Sequence, residues 1–361
     1  MRPIVVSKKQ FTSIQMMRFI AALMVLVFHC FLSTNERLKN VTVGFEQLGN
    51  NGIRLFFVIS GFVMIISSQH LVYNRNGWKK FAIKRIVRIV PLYWLFTTIK
   101  IISLIFPTSY TIHAHRLEFM YILKSYLFIP ALNEQNIFFP IYTVGWTLNF
   151  EMFFYFFFAI ALLLKVKPGI FISIIFIPLV ILSQYKTNSW GIFSFYCDPI
   201  LLYFILGMAI ASLAIRELIL PKRVSYASFA ICLLILLMPG QYFKMNSVAE
   251  SLSVFFCSFF IIYACISIET LDRITVPSKL LLLGSASYSL YILHPLIVPF
   301  APIFLNYMNF HVVPASVALG TSISILSGLL FYKYFEKPVS RYFARFADQK
   351  STNNIYGVSP D

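Results

Sequence analysis

Residues 13–31 read SIQMMRFIAALMVLVFHCF, and the fold class turns on this stretch. Between Met16 and Leu32 the only strongly polar side chains are Arg18 and His29. As a helix the stretch is about 20 residues of apolar surface, the length that crosses a bilayer. Arg18 and His29 are eleven residues apart, which at about 100° per residue returns them nearly to one helix face, roughly 16 Å apart along the axis. An ionisable group inside an apolar span is costly and faces a polar interior rather than lipid. His29 is the one side chain in this helix able to act as a general base near neutral pH. A structural histidine bonded to a neighbouring helix is the other reading.

The rest of the chain repeats the pattern. Of 361 residues 59% are hydrophobic and 12% charged, with mean hydropathy +0.78, against about 45–50% apolar and about 25% charged in a soluble domain. The fold class expected is therefore all-α, a polytopic integral membrane protein. The apolar runs have helical length and lack the alternation of barrel strands. About ten transmembrane helices are expected, at roughly 12–33, 52–70, 89–106, 144–165, 169–184, 196–214, 225–240, 248–268, 283–305 and 312–333. The first is not followed by a small-residue cleavage site and is expected to stay as an anchor. The five cysteines lie in or beside these spans without metal-ligand spacing, and read as small core residues; no metal is expected.

The net charge of +17 does not point to nucleic acid. With the N-terminus inside, 22 of the 30 Lys and Arg fall in inside segments, the bias that sets membrane orientation. Both termini are therefore expected in the cytoplasm. The longest non-spanning piece, about 107–143, faces outside, and its 119–130 part is suited to lie at the membrane surface or dip into it. Residues 1–345 are expected to form one transmembrane domain, followed by a polar, disordered tail at 346–361.

Several constellations carry chemistry. In GIRLFFVISGFVM, Gly52 and Gly61 remove side-chain bulk, either for close helix approach or for backbone to meet a ligand. In KRIVRIVPLYW, Arg85 and Arg88 share a helix face beside Lys84; guanidinium forks suit phosphate, while plain inside charge or contact with anionic lipid are the alternatives. In GWTLNFEMFFYFFF, Glu151 is an acid placed inside a bilayer, with Trp146 and Asn149 nearby to orient a substrate. Counted inward from the outer surface, Glu151 and His29 lie at similar depth, where the carboxylate could hold the imidazole tautomer; a structural pair or a proton relay is the alternative. SYSLYILHP offers Ser287, Tyr288, Tyr291 and His294 within two turns, and Glu336 precedes Pro338 at the inside boundary, to pair with the basic loop or end a helix in solvent.

Taken in order, RFIAALMVLVFH, GIRLFFVISGFVM, KRIVRIVPLYW, GWTLNFEMFFY, SYSLYILHP and YFEKP resemble the acyltransferase-3 family of membrane O-acyltransferases, and GWTLNFEMFFY its branch that acetylates bacterial exopolysaccharides. The likeness runs from Arg18 to about Arg341. It implies an acyl-coenzyme A donor, acetyl-CoA in that branch, used as a substrate with no permanently bound cofactor. It implies a bacterial cytoplasmic (inner) membrane location and transfer to a sugar hydroxyl of an exopolysaccharide, O-antigen, related cell-surface polysaccharide or lipid-linked oligosaccharide. By residue, His29 matches the essential histidine, Arg85 and Arg88 the R-x-x-R element, and Glu151 the acid of W-[ST]-x-x-x-E, with Trp146 and Thr147. Arg54 departs from the family, where many relatives carry an acid. The expected assignment is His29 and Glu151 as catalytic residues, with Glu151 orienting the imidazole. Arg85, Arg88, Lys84 and Arg18 are expected to hold the donor, and Trp146, Asn149, Tyr288 and His294 the acceptor. An acyl-histidine intermediate is as open as direct transfer. The competing class is a proton-coupled transporter of a small solute or glycan precursor, in which His29 and Glu151 relay protons.

Overall fold

The computed structural model describes residues 11–38, 45–106, 117–238 and 247–343, and these are helical apart from turns, an irregular stretch at 127–144 and, within it, one isolated bridge between Leu132 and Phe138. The expected tail at 346–361 lies outside them. In chain order the helices are α1 (Thr12–Leu38), α2 (Glu46–Ser68), α3 (Gly77–Ile105), α4 (Phe119–Tyr126), α5 (Gly145–Leu163), α6 (Pro168–Leu182), α7 (Ile192–Tyr196), α8 (Leu201–Ile215), α9 (Lys222–Leu237), α10 (Ser247–Asp272), α11 (Ser278–Ser285), α12 (Ser287–Ile297), α13 (Phe300–Tyr307) and α14 (Val313–Phe331). Among the described residues nine segments are long and apolar enough to cross a membrane. The expected span at 225–240 falls on α9, whose 16 residues rise only about 24 Å, short of a full hydrocarbon core.

The outward faces confirm the solvent these helices are built for. On α6, Ile170, Ile174 and Ile181 are each about 60% exposed (60%, 67% and 59%). In water such a stripe would demand a partner; in lipid it needs none. In the loop after α3, Phe119, Met120, Leu123 and Leu127 of α4 and its C-cap are likewise exposed, as a helix at the membrane surface requires.

The chain forms two compact units. The first joins residues up to Ser67 with Leu202–Leu330. In it α1 packs against α10, α11, α12 and α13. The N-terminus of α1 is held by a single carboxylate on α10: Glu269 accepts from the backbone N–H groups of Thr12 and Ser13 at 2.8 and 2.9 Å and from both hydroxyls. Unpaired N–H groups and the positive end of the helix dipole make that position favourable for an anion. Within lipid, apolar burial gives little net attraction, so close backbone approach carries the packing. A Cβ on Gly61 of α2 would lie 2.2 Å from the Phe204 carbonyl oxygen, and one on Gly207 of α8 would lie 1.9 Å from that of Val58. The expected close approach at Gly61 is this reciprocal crossing.

The second unit holds Ser68–Leu201 and the residues from Phe331 onward. Here α3 packs on α5 and α5 on α6 through stacked aromatic rings: Phe81 on Phe158 at 4.7 Å, Phe150 on Phe195 at 4.3 Å and Phe153 on Tyr196 at 4.0 Å. Pro91 and Pro178 sit inside α3 and α6, as membrane helices tolerate. After α14 the chain forms a π turn at Tyr332–Glu336 that buries Glu336, so this acid is not an exposed helix end. All five cysteines are free and buried.

Candidate functional site

Each unit assembles its own polar group. In the first, α1 carries His29 with part of its ring exposed. The ring is fixed by its own helix: Nδ1 lies 2.9 Å from the Val25 carbonyl oxygen, four residues back. A carbonyl only accepts, so the hydrogen sits on Nδ1 and the lone pair on Nε2. The acceptor that orients the imidazole is thus a backbone carbonyl, where the sequence suggested Glu151. No charge is buried to achieve it.

Against this ring lies His294 of α12, with ring centroids 4.7 Å apart and planes at 62°. His294 is 1% exposed, and its Nε2 is buried with no hydrogen-bond partner among the described residues. Its other nitrogen meets the carbonyls of Leu290 and Tyr291. The sequence explains that geometry. Residue 295 is proline, which has no N–H to offer the Tyr291 carbonyl one turn back, and the imidazole fills the gap. Tyr288 and Tyr291 are buried on the same helix, Tyr291 with its ring 5.8 Å from that of His294. Arg18 is half-buried further back on α1. Arg54 donates to the Asn51 amide oxygen at 3.1 Å and lies over the Tyr203 ring, while Asn51 donates to the Leu236 carbonyl at the end of α9. Arg54 therefore serves helix packing in this unit.

In the second unit, Glu151 and Tyr155 are four apart on α5, and the phenol donates to the carboxylate. Arg85 of α3 reaches the same phenol, its guanidinium 5.7 and 5.9 Å from the Phe81 and Tyr155 ring centres, and Glu151 attracts it. The sequence suggested Arg85 at an inner phosphate mouth and Glu151 near the outer surface. In the structure the two share Tyr155, a residue outside the expected site. The i, i+4 spacing of Glu151 and Tyr155 was the available signal. Arg85 Nε is buried with no partner among the described residues. Arg88 is half-buried and Lys84 exposed, so the basic element grades from an internal strut to a surface cation.

Asn149, 1% exposed, has its Oδ1 unpartnered among the described residues, while Trp146 packs edge-on against Phe150 and keeps part of its surface exposed. A buried amide oxygen without a donor costs free energy in the empty protein; a ligand hydroxyl is the kind of group that would satisfy it. The segment between α3 and α5 of this unit also borders a half-open cavity of about 270 Å³, lined among others by Glu118, Tyr121, Lys124, Leu132 and Phe138.

The family model described as an acyltransferase domain, acyltransferase-3, matches residues 11–333. The chain is also similar to the exopolysaccharide production protein ExoZ of Rhizobium meliloti (strain 1021), with 29% identity over 313 residues, covering 81% of this chain and 90% of that protein. No solved structure matches it.

Proposed function

This chain belongs to the acyltransferase-3 family and is a membrane O-acyltransferase, and we propose that it moves an acetyl group from cytoplasmic acetyl-CoA to a sugar hydroxyl of an exopolysaccharide or related surface glycan. The single observation that carries the chemistry is His29: an imidazole in an apolar helix, partly accessible, with Nδ1–H committed to Val25 and the Nε2 lone pair left free. In this reading Nε2 removes the proton from the sugar hydroxyl as its oxygen attacks the thioester carbonyl. The C–O bond forms, the C–S bond breaks, and the imidazolium returns the proton to the leaving thiolate. The same lone pair would serve if the acyl group passed through His29, and coenzyme A release without acceptor would mark that route.

Lys84 and Arg88 suit the phosphates of the donor, with Arg85 held behind them by Tyr155. Asn149 and Trp146 suit the acceptor. The exopolysaccharide assignment leans on the likeness to ExoZ, and the inside position of both termini on the charge bias of the loops. The test uses membranes bearing the protein, radiolabelled acetyl-CoA and the host's surface polysaccharide. Alkali-labile label in the polysaccharide, absent with His29→Ala at matched expression, is the expected result. Label that persists in the variant removes His29 from the chemistry, and no label in either removes the donor or acceptor assignment.

A further inference from the structure

His294 presents a contradiction that the reaction can resolve. The side chain has the chemistry of a substrate ligand, yet at 1% exposure it offers a substrate almost no surface. Its Nδ1 side is taken by the carbonyls of Leu290 and Tyr291, which leaves the Nε2 lone pair buried and unpartnered among the described residues. A buried acceptor left unsatisfied is costly to the folded protein. On the facing helix it meets an ionisable neighbour, the His29 ring, 4.7 Å away between centroids.

We propose that His294 is a positioning residue that acts through His29: its lone pair and ring stabilise the imidazolium that His29 becomes when it takes the acceptor's proton. This rests on His29 being the base in the reading above. In the resting state both rings are neutral and each is locked by its own helix, His29 by Val25 and His294 by Leu290 and Tyr291. No proton passes to His294. The hydroxyl proton goes to His29 Nε2 and from there to the leaving thiolate, so atoms and charges balance without a further co-reactant. His294 contributes electrostatically: a fixed lone pair and an electron-rich ring beside a charge that exists only after proton transfer. A preoriented dipole is worth most in a dry site, and it stabilises the transition state selectively because the ground state carries no charge there. The orphaned acceptor is then a group kept unpaired until turnover.

Two substitutions separate this role from packing. His294→Phe keeps a ring of similar size and loses the lone pair; His294→Gln keeps an acceptor near the Nε2 position and loses the ring. The expected result is a turnover number about 10–100-fold lower for the Phe variant, with KM for donor and acceptor unchanged, and turnover within a few-fold of wild type for the Gln variant, a range below the larger losses seen for direct oxyanion-hole donors. Monodispersity in detergent shows that each variant folds. A purely structural role predicts the reverse order, with Phe tolerated and Gln damaging, and that order overturns the proposal. Equal turnover in all three proteins also overturns it.

A second readout does not depend on the natural substrates. Diethylpyrocarbonate acylates imidazole nitrogen through a cationic intermediate, and mass spectrometry of the peptide bearing His29 reports its rate. The rate should fall about tenfold in His294→Phe and stay near wild type in His294→Gln. An unchanged rate in His294→Phe refutes the coupling. If wild-type membranes transfer no acyl group to any glycan while the modification rates still differ in this way, the function assigned to the protein fails and the coupling of the two histidines stands.

Discussion

Removing one oxygen atom from Tyr155 should disconnect the charged pair that this buried phenol joins, Glu151 and Arg85. In Tyr155→Phe the ring keeps its packing against Phe81, 5.9 Å between centroids, and loses both the bond it donates to Glu151 and the contact it makes with Arg85. Hydrogen bonds to charged groups are worth about 1.5–3 kcal/mol each, which bounds the loss near 6 kcal/mol. The gap left is smaller than a water molecule, so water cannot substitute. Arg85 can, however, swing toward Glu151 and recover part of the energy directly, and Glu151 keeps some exposure. A net loss of about 2–4 kcal/mol follows, or roughly 5–10 °C in the unfolding midpoint for a unit of this size. The assay is thermal unfolding of the purified protein in detergent, with a double-mutant cycle against Glu151→Gln to isolate the coupling. Turnover should fall as well, because α5 also carries Asn149 and Trp146. An unfolding midpoint equal to wild type, or a coupling energy of zero, would refute the argument that Tyr155 bridges the two charges.

Two further outcomes test other parts of the account. Asn149→Ala should leave the unfolding free energy within about 1 kcal/mol of wild type, since the side-chain oxygen it removes is unpartnered among the described residues. The same variant should raise KM for the acceptor glycan without changing KM for acetyl-CoA, and an equal rise in both would take Asn149 out of the acceptor site. On the segment between α3 and α5, burial and the neighbouring Glu134 carboxylate push the Tyr121 phenol up to about 12, while its hydroxyl donates to the Phe139 carbonyl at 2.7 Å. Below pH 10 the phenol is neutral folded or unfolded; between about 10 and about 12 only the unfolded form ionises, so the stability it contributes is lost as pH rises across that window. Resistance of residues 117–138 to protease should fall over that range more steeply in wild type than in Tyr121→Phe, and identical pH profiles would count against the burial argument.

The fold was legible because a membrane helix declares itself by length and composition, and no long-range pairing has to be known to see it. α1, α2, α5 and α14 all lie where the apolar runs put them. α9 shows the limit: its apolar run predicts a full span, and the helix stops at Leu237, 16 residues long. The chemistry-bearing residues were legible by type, since an ionisable group in lipid is conspicuous. Their partners were less so. His29 and Glu151 each suggest a partner on another helix, yet both have partners four residues away on their own, Val25 and Tyr155. Local periodicity would have found these pairs, but their energetic weight is only apparent once lipid is recognised as a solvent that offers no competing hydrogen bonds. Arg85 meeting Tyr155 and His29 meeting His294 depend on the register of α3 against α5 and of α1 against α12. A single sequence contains no trace of that register.

Why a backbone carbonyl should orient this histidine follows from where it sits. In a soluble hydrolase the orienting group is commonly a carboxylate, whose charge also stabilises the imidazolium. Burying such a carboxylate in an apolar helix bundle would cost several kcal/mol unless it were paired, and pairing it would consume the charge. Val25 sets the tautomer of His29 without burying a charge. It leaves the imidazolium to be stabilised by something else, and a second imidazole is the economical choice: neutral at rest, rich in electron density, and lockable by the same device. α12 achieves the lock by following His294 with Pro295, which withholds the N–H that would otherwise occupy the Tyr291 carbonyl. The His-Pro pair and the unbroken apolar run of α1 are thus two halves of one arrangement, a base prepared for a proton in a place where no fixed negative charge could be kept.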